Sequence, residues 1–330
     1  MNRAALLIAS VISFACGSAF AGPGQILHLA ELNTLQIQAL DRARTVVLIP
    51  GGILEEHGPY LPSFTDGYRN EATVAGLAAT VAARPGWTAL VFPTIPLGVG
   101  GANEIGGHYS FAGTYAVRSS TLRAIFADIG AELGEQGFKW IFIVHLHGSP
   151  NHNKALDQAG DFFRDSYGGR MVHLYGLMPV VSSQPEQYRP DPKEEKDNGH
   201  DLHAGRTETS SILHLRPDLV SGGFRNAIPH PGFLFEELAG IAKKPGWPGY
   251  FGAPSQASAA EGAARLRVRT DAAAAMMWRI IDGADERKIP RFADVLMKSE
   301  AVADTVNRAK EAETSRKDRF EAWLRANDHD

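Results

Sequence analysis

The sequence has little cysteine, no excess of basic residues and, beyond its first residues, no long apolar run. Cys16 is the single cysteine, which excludes a disulfide within the chain and a site built from several thiolates. The formal net charge is −4 and the pI is near 6.3. These values leave no basic surface for nucleic acid, and we expect no nucleic-acid partner. No later segment has about 18 consecutive apolar residues, so we expect no membrane span.

The first residues have the pattern of a signal peptide. Arg3 is the one charge ahead of the mostly apolar residues 4–16. Ala19-Phe20-Ala21 then supplies the small residues of a cleavage site before Gly22. We therefore predict a signal peptide at residues 1–21 and export to the periplasm or the medium of a bacterium.

Two alternatives for this segment are a buried N-terminal helix and a lipid-modified Cys16. If the signal peptide is cleaved, the chain loses both Arg3 and Cys16, and its formal charge falls from −4 to −5. No thiol then remains, which also excludes a cysteine nucleophile. Any metal site in the mature chain must be built from histidines and carboxylates.

Apolar runs typical of buried strands alternate with helical patterns along the chain. This order predicts an α/β fold whose mostly parallel sheet is covered by helices on both faces. The predicted strands are residues 46–49, 88–92, 140–144 and 170–178. The predicted helices are residues 70–84, 119–136, 153–165, 204–215, 259–281 and 299–326.

The chain shows no convincing linker, and we predict one catalytic domain at residues 22–295 with a C-terminal helical extension at residues 296–330. The extension is charged and lacks a continuous apolar stripe, so we expect it to pack on its own subunit or on a neighbour. Residues 93–114 form a glycine-rich segment with His108 that is too long for a simple connector, which favours a functional loop. Residues 184–198 are polar and charged, and they are either a solvated loop or a lid.

Glu55, His57 and Asp66 are the most informative residues. They follow the apolar run at 46–49 and lie among glycines and prolines that favour a rigid loop. In an extended segment, positions i and i+2 point to the same side, so Glu55 and His57 can converge on one place. Carboxylate and imidazole ligands suit Zn²⁺, Mn²⁺ or Fe²⁺. A plain polar turn is the alternative interpretation of Glu-x-His alone.

A second polar segment, His145-Leu146-His147, follows the predicted strand at 140–144. Ligands of open α/β sheets bind at the carboxyl ends of the strands, so this segment and Glu55/His57 are expected to open on the same edge. His145 and His147 share a strand parity. One of them is a ligand candidate and the other a supporting residue, or one is a packed strand histidine.

A third segment, His203-Ala204-Gly205, precedes Glu208 at a predicted helix start. With helical geometry from about Ala204, the Glu208 carboxylate lies near the first turn. His203 and Glu208 are either a capping or surface pair, or they complete a five-ligand set with a spare histidine.

These segments together resemble the creatininase family of metal-dependent amidohydrolases. The resemblance covers roughly residues 40 to 285. It rests on four motifs in matching order: Glu55-Glu56-His57-Gly58-Pro59-Tyr60-Leu61-Pro62 with Thr65-Asp66, Phe111-Ala112-Gly113-Thr114, His147-Gly148, and His203-Ala204-Gly205 with Glu208-Thr209-Ser210.

The resemblance implies a three-layer α/β/α subunit with two divalent metal ions, Zn²⁺ being favoured over Mn²⁺ or Fe²⁺, and a homo-oligomer, often a hexamer. It implies that Asp66 bridges the two metals, that Glu55 and His147 hold one, and that His57 and Glu208 hold the other. A hydroxide between the metals would attack a carbonyl carbon. His203 would then carry a proton to the leaving nitrogen.

The chain departs from the family pattern around the expected site. Glu56 and Tyr60 replace the usual glutamine and histidine, and His145 stands in a segment that is commonly Asn-Gly-His. Ser149 replaces a glutamate of true creatininases, and Gly199 replaces a tryptophan that closes on substrate. These departures argue against creatinine as the substrate. We predict that five residues contact substrate or support the ligands: Glu56, Tyr60, His108, His145 and Ser149.

We therefore expect a metal-dependent hydrolase that cleaves a C–N bond in a non-standard amide, a cyclic amide or a small peptide. One alternative is an ester or lactone hydrolase with the same dinuclear centre. The other is an exported metal- or ligand-binding protein without catalysis. The sequence leaves open the substrate, the native metal, the subunit count and the role of residues 184–198.

Overall fold

The computed structural model describes residues 23–189 and 191–327, so the predicted signal peptide lies outside the described residues. The strands are β1 Gln25–His28, β2 Thr45–Pro50, β3 Thr88–Val91, β4 Trp140–Val144 and β5 Arg170–His173. The helices are α1 Thr34–Gln38, α2 Thr65–Ala82, α3 Ser119–Glu135, α4 Pro150–Tyr167, α5 Met178–Val181, α6 Pro192–Asn198, α7 Arg206–Leu215, α8 Phe235–Ala242, α9 Ala259–Ile281, α10 Phe292–Leu296 and α11 Glu300–Ala326.

The described strands form one parallel sheet in the order β1-β3-β2-β4-β5. β2 lies at the centre, and its register with β4 runs from Val46 opposite Trp140 to Pro50 opposite Val144. The carboxyl ends of β2 and β4 therefore lie side by side. The segments that follow these two strands meet at one edge of the sheet.

Helices cover both faces of the sheet, as the alternation of buried side chains on β2 shows. Val46 and Leu48 pack with α2 and α9 in one apolar cluster. Val47 and Ile49 pack with α3 and α4 in a second cluster on the opposite face. Since successive strand residues point to opposite faces, a strand buried on both sides reads as a continuous apolar run. The predicted three-layer α/β/α fold is confirmed.

The predicted boundary of α2 was wrong at its N-terminus. The helix begins at Thr65, five residues before the predicted start at residue 70. The Thr65 amide and hydroxyl both donate to the Pro62 carbonyl, which turns the chain into the helix directly after the proline segment. Asp66 consequently lies in the first helical turn and not on a loop.

Other boundaries also differ from the prediction, and two of them have a clear structural reason. The strand predicted at residues 170–178 ends at His173, because its neighbour β4 ends at Val144 and offers no further partner. The helix predicted from residue 204 begins at Arg206, because Ala204 has a left-handed φ of 51° that cannot continue into a helix.

The C-terminal helix α11 packs on its own subunit. Val302, Val306 and Ala309 are buried in its first half. Farther along, Glu313 accepts hydrogen bonds from the amide and hydroxyl of Ser119. Among residues 184–198, which were predicted to be a loop or a lid, the structure has α6. Within the described ranges, none of the helices has the length and apolar character that crossing a bilayer requires.

Candidate metal centre

The site lies where the carboxyl ends of β2 and β4 meet. Asn70 on α2 connects these two ends: its side-chain amide donates to the Gly51 carbonyl at 2.9 Å, and its oxygen accepts from the Leu146 amide at 2.8 Å. Asn70 is fully buried. The segments that carry the predicted residues are thereby held together across the sheet edge.

The five predicted ligands fall into two groups that share Asp66, and a third candidate group joins Glu55 and His57 with His203. One group is Glu55, Asp66 and His147, and the other is His57, Asp66 and Glu208. In the first, Nδ1 of His147 lies 3.2 Å from Glu55 Oε2 and 3.1 Å from Asp66 Oδ2. In the second, Nε2 of His57 lies 3.9 Å from Asp66 Oδ1 and 3.5 Å from Glu208 Oε2. Each of the two groups that share Asp66 offers one imidazole nitrogen and two carboxylate oxygens.

Hydrogen bonds to backbone carbonyls orient both imidazoles. Nδ1 of His57 donates to the Glu55 carbonyl at 3.1 Å, so its buried Nε2, which has no hydrogen-bond partner among the described residues, is left as a free acceptor. His147 donates from Nε2 to the Gly100 carbonyl at 2.6 Å, which turns its Nδ1 toward the carboxylates. Such fixing of the distal nitrogen is typical of metal-binding histidines.

These donors fit a divalent cation. Each of the two groups that share Asp66 places an imidazole nitrogen against two carboxylates, with Glu55 and Asp66 buried and Glu208 partly buried. Such an arrangement is favourable only when a cation or a proton lies between the acceptors. Ligands at 2.0–2.2 Å from a metal are separated by about 3.0 to 3.5 Å at octahedral or tetrahedral angles. The distances of 3.1–3.9 Å within the two groups are near this range. Nitrogen and carboxylate ligation suits Zn²⁺, Mn²⁺ or Fe²⁺.

Backbone amides and one arginine fix the carboxylates. The Ala102 amide donates to Glu55 Oε1 at 2.6 Å, and the Ala204 amide donates to Glu208 Oε2 at 2.7 Å. The left-handed conformation of Ala204 turns this amide toward the carboxylate. Arg69, one helical turn after Asp66, contacts Glu208 Oε1 at 2.5 Å and Asp66 Oδ1 at 3.3 Å.

The electrostatics keep the two outer carboxylates ionised. Burial raises the pKa of Glu55, but the charges of His203 and His147 outweigh it and hold the pKa well below its usual range. Burial likewise opposes ionisation of Glu208, yet Arg69, His57 and His203 lower its pKa to about 2. Both groups are therefore anions at neutral pH, as metal ligands must be.

His203 lies against both groups. Its Nε2 donates to the Glu56 carbonyl at 2.6 Å, and its Nδ1 lies 3.8 Å from both Glu55 Oε1 and Glu208 Oε2. Burial lowers the pKa of His203, but Glu55 and Glu56 outweigh this effect and raise it to about 10. An imidazole in this place can hold a proton beside the ligand cluster.

Of the predicted supporting residues, Glu56 lies beside His203, and Tyr60 packs in a neighbouring apolar cluster. Glu56 is buried with its Oε1 3.5 Å from His203 Nε2, and its other oxygen accepts from the Gly58 amide. Tyr60 is half-buried, and its ring centre lies 5.8 Å from that of Tyr250.

The other three predicted supporting residues are His145, Ser149 and His108. His145 is fully buried, where its ring packs against Phe126. Ser149 precedes α4, and its carbonyl accepts from Asn153. His108 is exposed and contacts the Ala242 carbonyl at 3.1 Å. None of these three belongs to a ligand group among the described residues.

Sequence reasoning missed several residues that build the site. Arg69 had a usable signal, because it stands three positions after Asp66 in a helix, and such pairs lie on one face. Asn70 had none, and the glycine-rich segment 93–114 was predicted to be a functional loop without any sign that Gly100 and Ala102 fix the candidate ligands. These residues act through backbone hydrogen bonds across the fold, and such bonds leave no periodic pattern in the sequence.

A family model described as creatininase, creatinine amidohydrolase, matches residues 30–277, which is most of the chain. The chain belongs to the creatininase family. With the ligand groups above, this membership makes it a metal-dependent amidohydrolase.

Two curated relatives within this family are described as mycofactocin precursor peptide peptidases. The protein from Mycolicibacterium smegmatis is 31% identical over 239 residues, which covers 70% of this chain and 83% of the relative. The protein from Mycobacterium ulcerans is 29% identical over 251 residues, which covers 71% and 85%.

Solved creatininase structures share the fold. A crystal structure of creatinine amidohydrolase aligns with a TM-score of 0.56 and 21% identity, over 78% of this chain and 99% of that one. A creatininase variant described as Zn-Zn type aligns with a TM-score of 0.56 and 22% identity, over 77% and 98%. The structure described as creatininase Mn has the same four values.

Proposed function

We propose that this creatininase-family chain binds two divalent cations, one between Glu55, Asp66 and His147 and the other between His57, Asp66 and Glu208. The single observation that carries the proposal is that Asp66 directs one oxygen to each imidazole, at 3.1 Å and 3.9 Å. Zn²⁺ is our first choice and Mn²⁺ our second, because family members are described in Zn and Mn forms. Fe²⁺ fits the same donors.

Bound divalent cations supply an activated water and polarise the carbonyl of the bond to be cleaved. The chain supplies the rest. Backbone donors from Ala102 and Ala204 hold Glu55 and Glu208 in place before substrate binds. A site that is preorganised in this way spends less free energy on rearrangement during the reaction.

We assign His203 the proton transfer to the leaving nitrogen. Its Nε2 is committed to the Glu56 carbonyl, so Nδ1 is the nitrogen that faces the ligand cluster. The Glu56 carboxylate, 3.5 Å from Nε2, favours the protonated ring. A protonated imidazole is a suitable general acid for an amine leaving group.

We propose an amide or a small peptide-like molecule as the substrate, and not creatinine. The peptidase descriptions of the curated relatives support cleavage of a C–N bond in such a molecule. Gly199 stands where the family resemblance expects a substrate-closing tryptophan. It has a φ of 72°, and a side chain there would collide with the backbone of Pro231 and Gly232. Hydrolysis rates for matched amides and esters will separate this proposal from the ester or lactone alternative.

Metal analysis of the purified protein with an Asp66→Asn variant tests the dinuclear centre. The wild type should contain about two ions per subunit, and the variant should lose both metal and activity while keeping its fold. Glu71→Gln changes an exposed carboxylate on the same helix and should alter neither. Full hydrolytic activity in metal-stripped wild type would refute the proposal.

We also propose that the protein is exported and assembles into a homo-oligomer. Export is supported by the signal-like residues 1–21, and assembly by the family resemblance. The intact mass of the protein secreted from a bacterial host should match a chain that begins at Gly22. A full-length product that stays in the cytoplasm would contradict export, and a monomer by light scattering would contradict assembly.

A further inference from the structure

A small cavity adjoins the ligand cluster on the side of Arg69. It has a volume of about 10 Å³, which is room for roughly one water-sized particle. Its walls include Arg69, Arg265, Arg269, Thr73 and Tyr175. Three guanidinium groups therefore surround a space that holds a single small particle, and no carboxylate is among its lining residues.

Two of the three arginines have acidic partners elsewhere. Arg69 contacts Asp66 and Glu208 of the candidate metal centre. Arg265 donates from Nε to Glu261 Oε1 at 2.7 Å and from Nη2 to the Tyr188 carbonyl at 2.9 Å. Both arginines are 6% exposed, so their charges act on the cavity with little screening by solvent.

Arg269 is the exception. Its buried Nε finds no hydrogen-bond acceptor in residues 23–189 and 191–327. Burial, and then the neighbouring charges of Arg69 and Arg265, lower the pKa of Arg269 to about 10. A buried donor without an acceptor, next to two like charges, is costly to maintain. An anion in the cavity would remove both costs.

We propose that this cavity is a binding site for one small monovalent anion, with chloride as the fitting species, held by Arg269 Nε and by the charges of Arg69 and Arg265. The small volume favours a monatomic anion over phosphate, sulfate or an organic carboxylate. Thr73 and Tyr175, whose hydroxyl oxygens lie 3.0 Å apart, add polar groups to the wall.

Bromide, which replaces chloride and is visible by anomalous scattering, tests the site directly. Crystals of the wild type soaked in sodium bromide should show one anomalous peak within hydrogen-bond reach of Arg269 Nε. A water in that place, or no peak, overturns the proposal. The measurement needs no bound metal, so its result is independent of the proposed function.

Thermal unfolding in sodium chloride and in sodium gluconate at equal ionic strength gives the second readout. The melting temperature of the wild type should be higher in chloride. Arg269→Met should abolish this difference, whereas Arg267→Met, an exposed arginine on the same helix, should keep it. Since Arg269→Met removes an uncompensated charge, it should fold and be at least as stable as the wild type in gluconate. An equal chloride effect in both variants overturns the proposal, even if bromide is found, because it marks an adventitious ion only.

Discussion

Asp157 provides a sharp test of the electrostatics of this fold. It lies on α4 and is 8% exposed, with its Oδ1 against the backbone of Gly176. No hydrogen bond to its carboxylate occurs among the described residues, although Arg291 is near. Burial therefore raises the pKa of Asp157 to about 7, and the opposing charge of Arg291 offsets only part of this effect.

The sign and size of the effect on stability follow from this pKa. Below about pH 4 the group is protonated in both the folded and the unfolded chain, and it carries no penalty. Between about pH 4 and pH 7 the unfolded chain ionises first, so the free energy of unfolding falls as the pH rises. The rise of the Asp157 pKa from its ordinary value of 3.8 to about 7 corresponds to a loss of about 4 kcal/mol in the free energy of unfolding, at 1.36 kcal/mol per pH unit.

Asp157→Asn removes the ionisable group with little change in shape. At pH 8 the variant should be more stable than the wild type by up to about 4 kcal/mol, or about 8 °C in melting temperature. The difference should vanish near pH 4. Urea unfolding and thermal unfolding at pH 4, 6 and 8 measure it.

Asp161→Asn, one helical turn away, is the matched control with the opposite sign. Burial raises the pKa of Asp161, but hydrogen bonds with Arg291 and Arg287 outweigh it and lower the pKa. Its stabilisation is present above the unfolded pKa and is lost as the pH falls. This variant should therefore be destabilised at pH 8 and less so near pH 3. A pH-independent difference between Asp157→Asn and the wild type would refute the reasoning.

Two further predictions concern catalysis and packing. His203→Gln should lower kcat by about 10²- to 10⁴-fold and leave the metal content unchanged. The control His214→Gln, at an exposed histidine, should change neither kcat nor metal content. Loss of metal from His203→Gln would make His203 a ligand instead. Phe163→Ala should cost about 3–5 kcal/mol by chemical denaturation, since Phe163 is fully buried. Phe162→Ala, at a residue 44% exposed, should cost about 1 kcal/mol or less. Equal costs would contradict the burial of Phe163 in the core beneath α3 and α4.

The sequence by itself predicted the α/β architecture and four of the five described strands, but not β1. The run Val46–Ile49 is apolar without alternation, which is typical of a strand buried on both faces. The spacing of Leu122, Phe126 and Leu133 in α3 is helical. Such local periodicity reflects which side of an element faces the core. The expectation that Glu55, His57 and His147 converge likewise needed only the parallel order of strands.

Tertiary structure alone decided how the candidate site is built. The sequence did not show that Asp66 lies in a helix, that Gly100 fixes the ring of His147, or that Arg69 links the ligands to a cavity of arginines. These features depend on hydrogen bonds and charges between segments distant along the chain. Backbone carbonyls and amides are present at every position, so only the folded chain determines which of them reach an imidazole or a carboxylate.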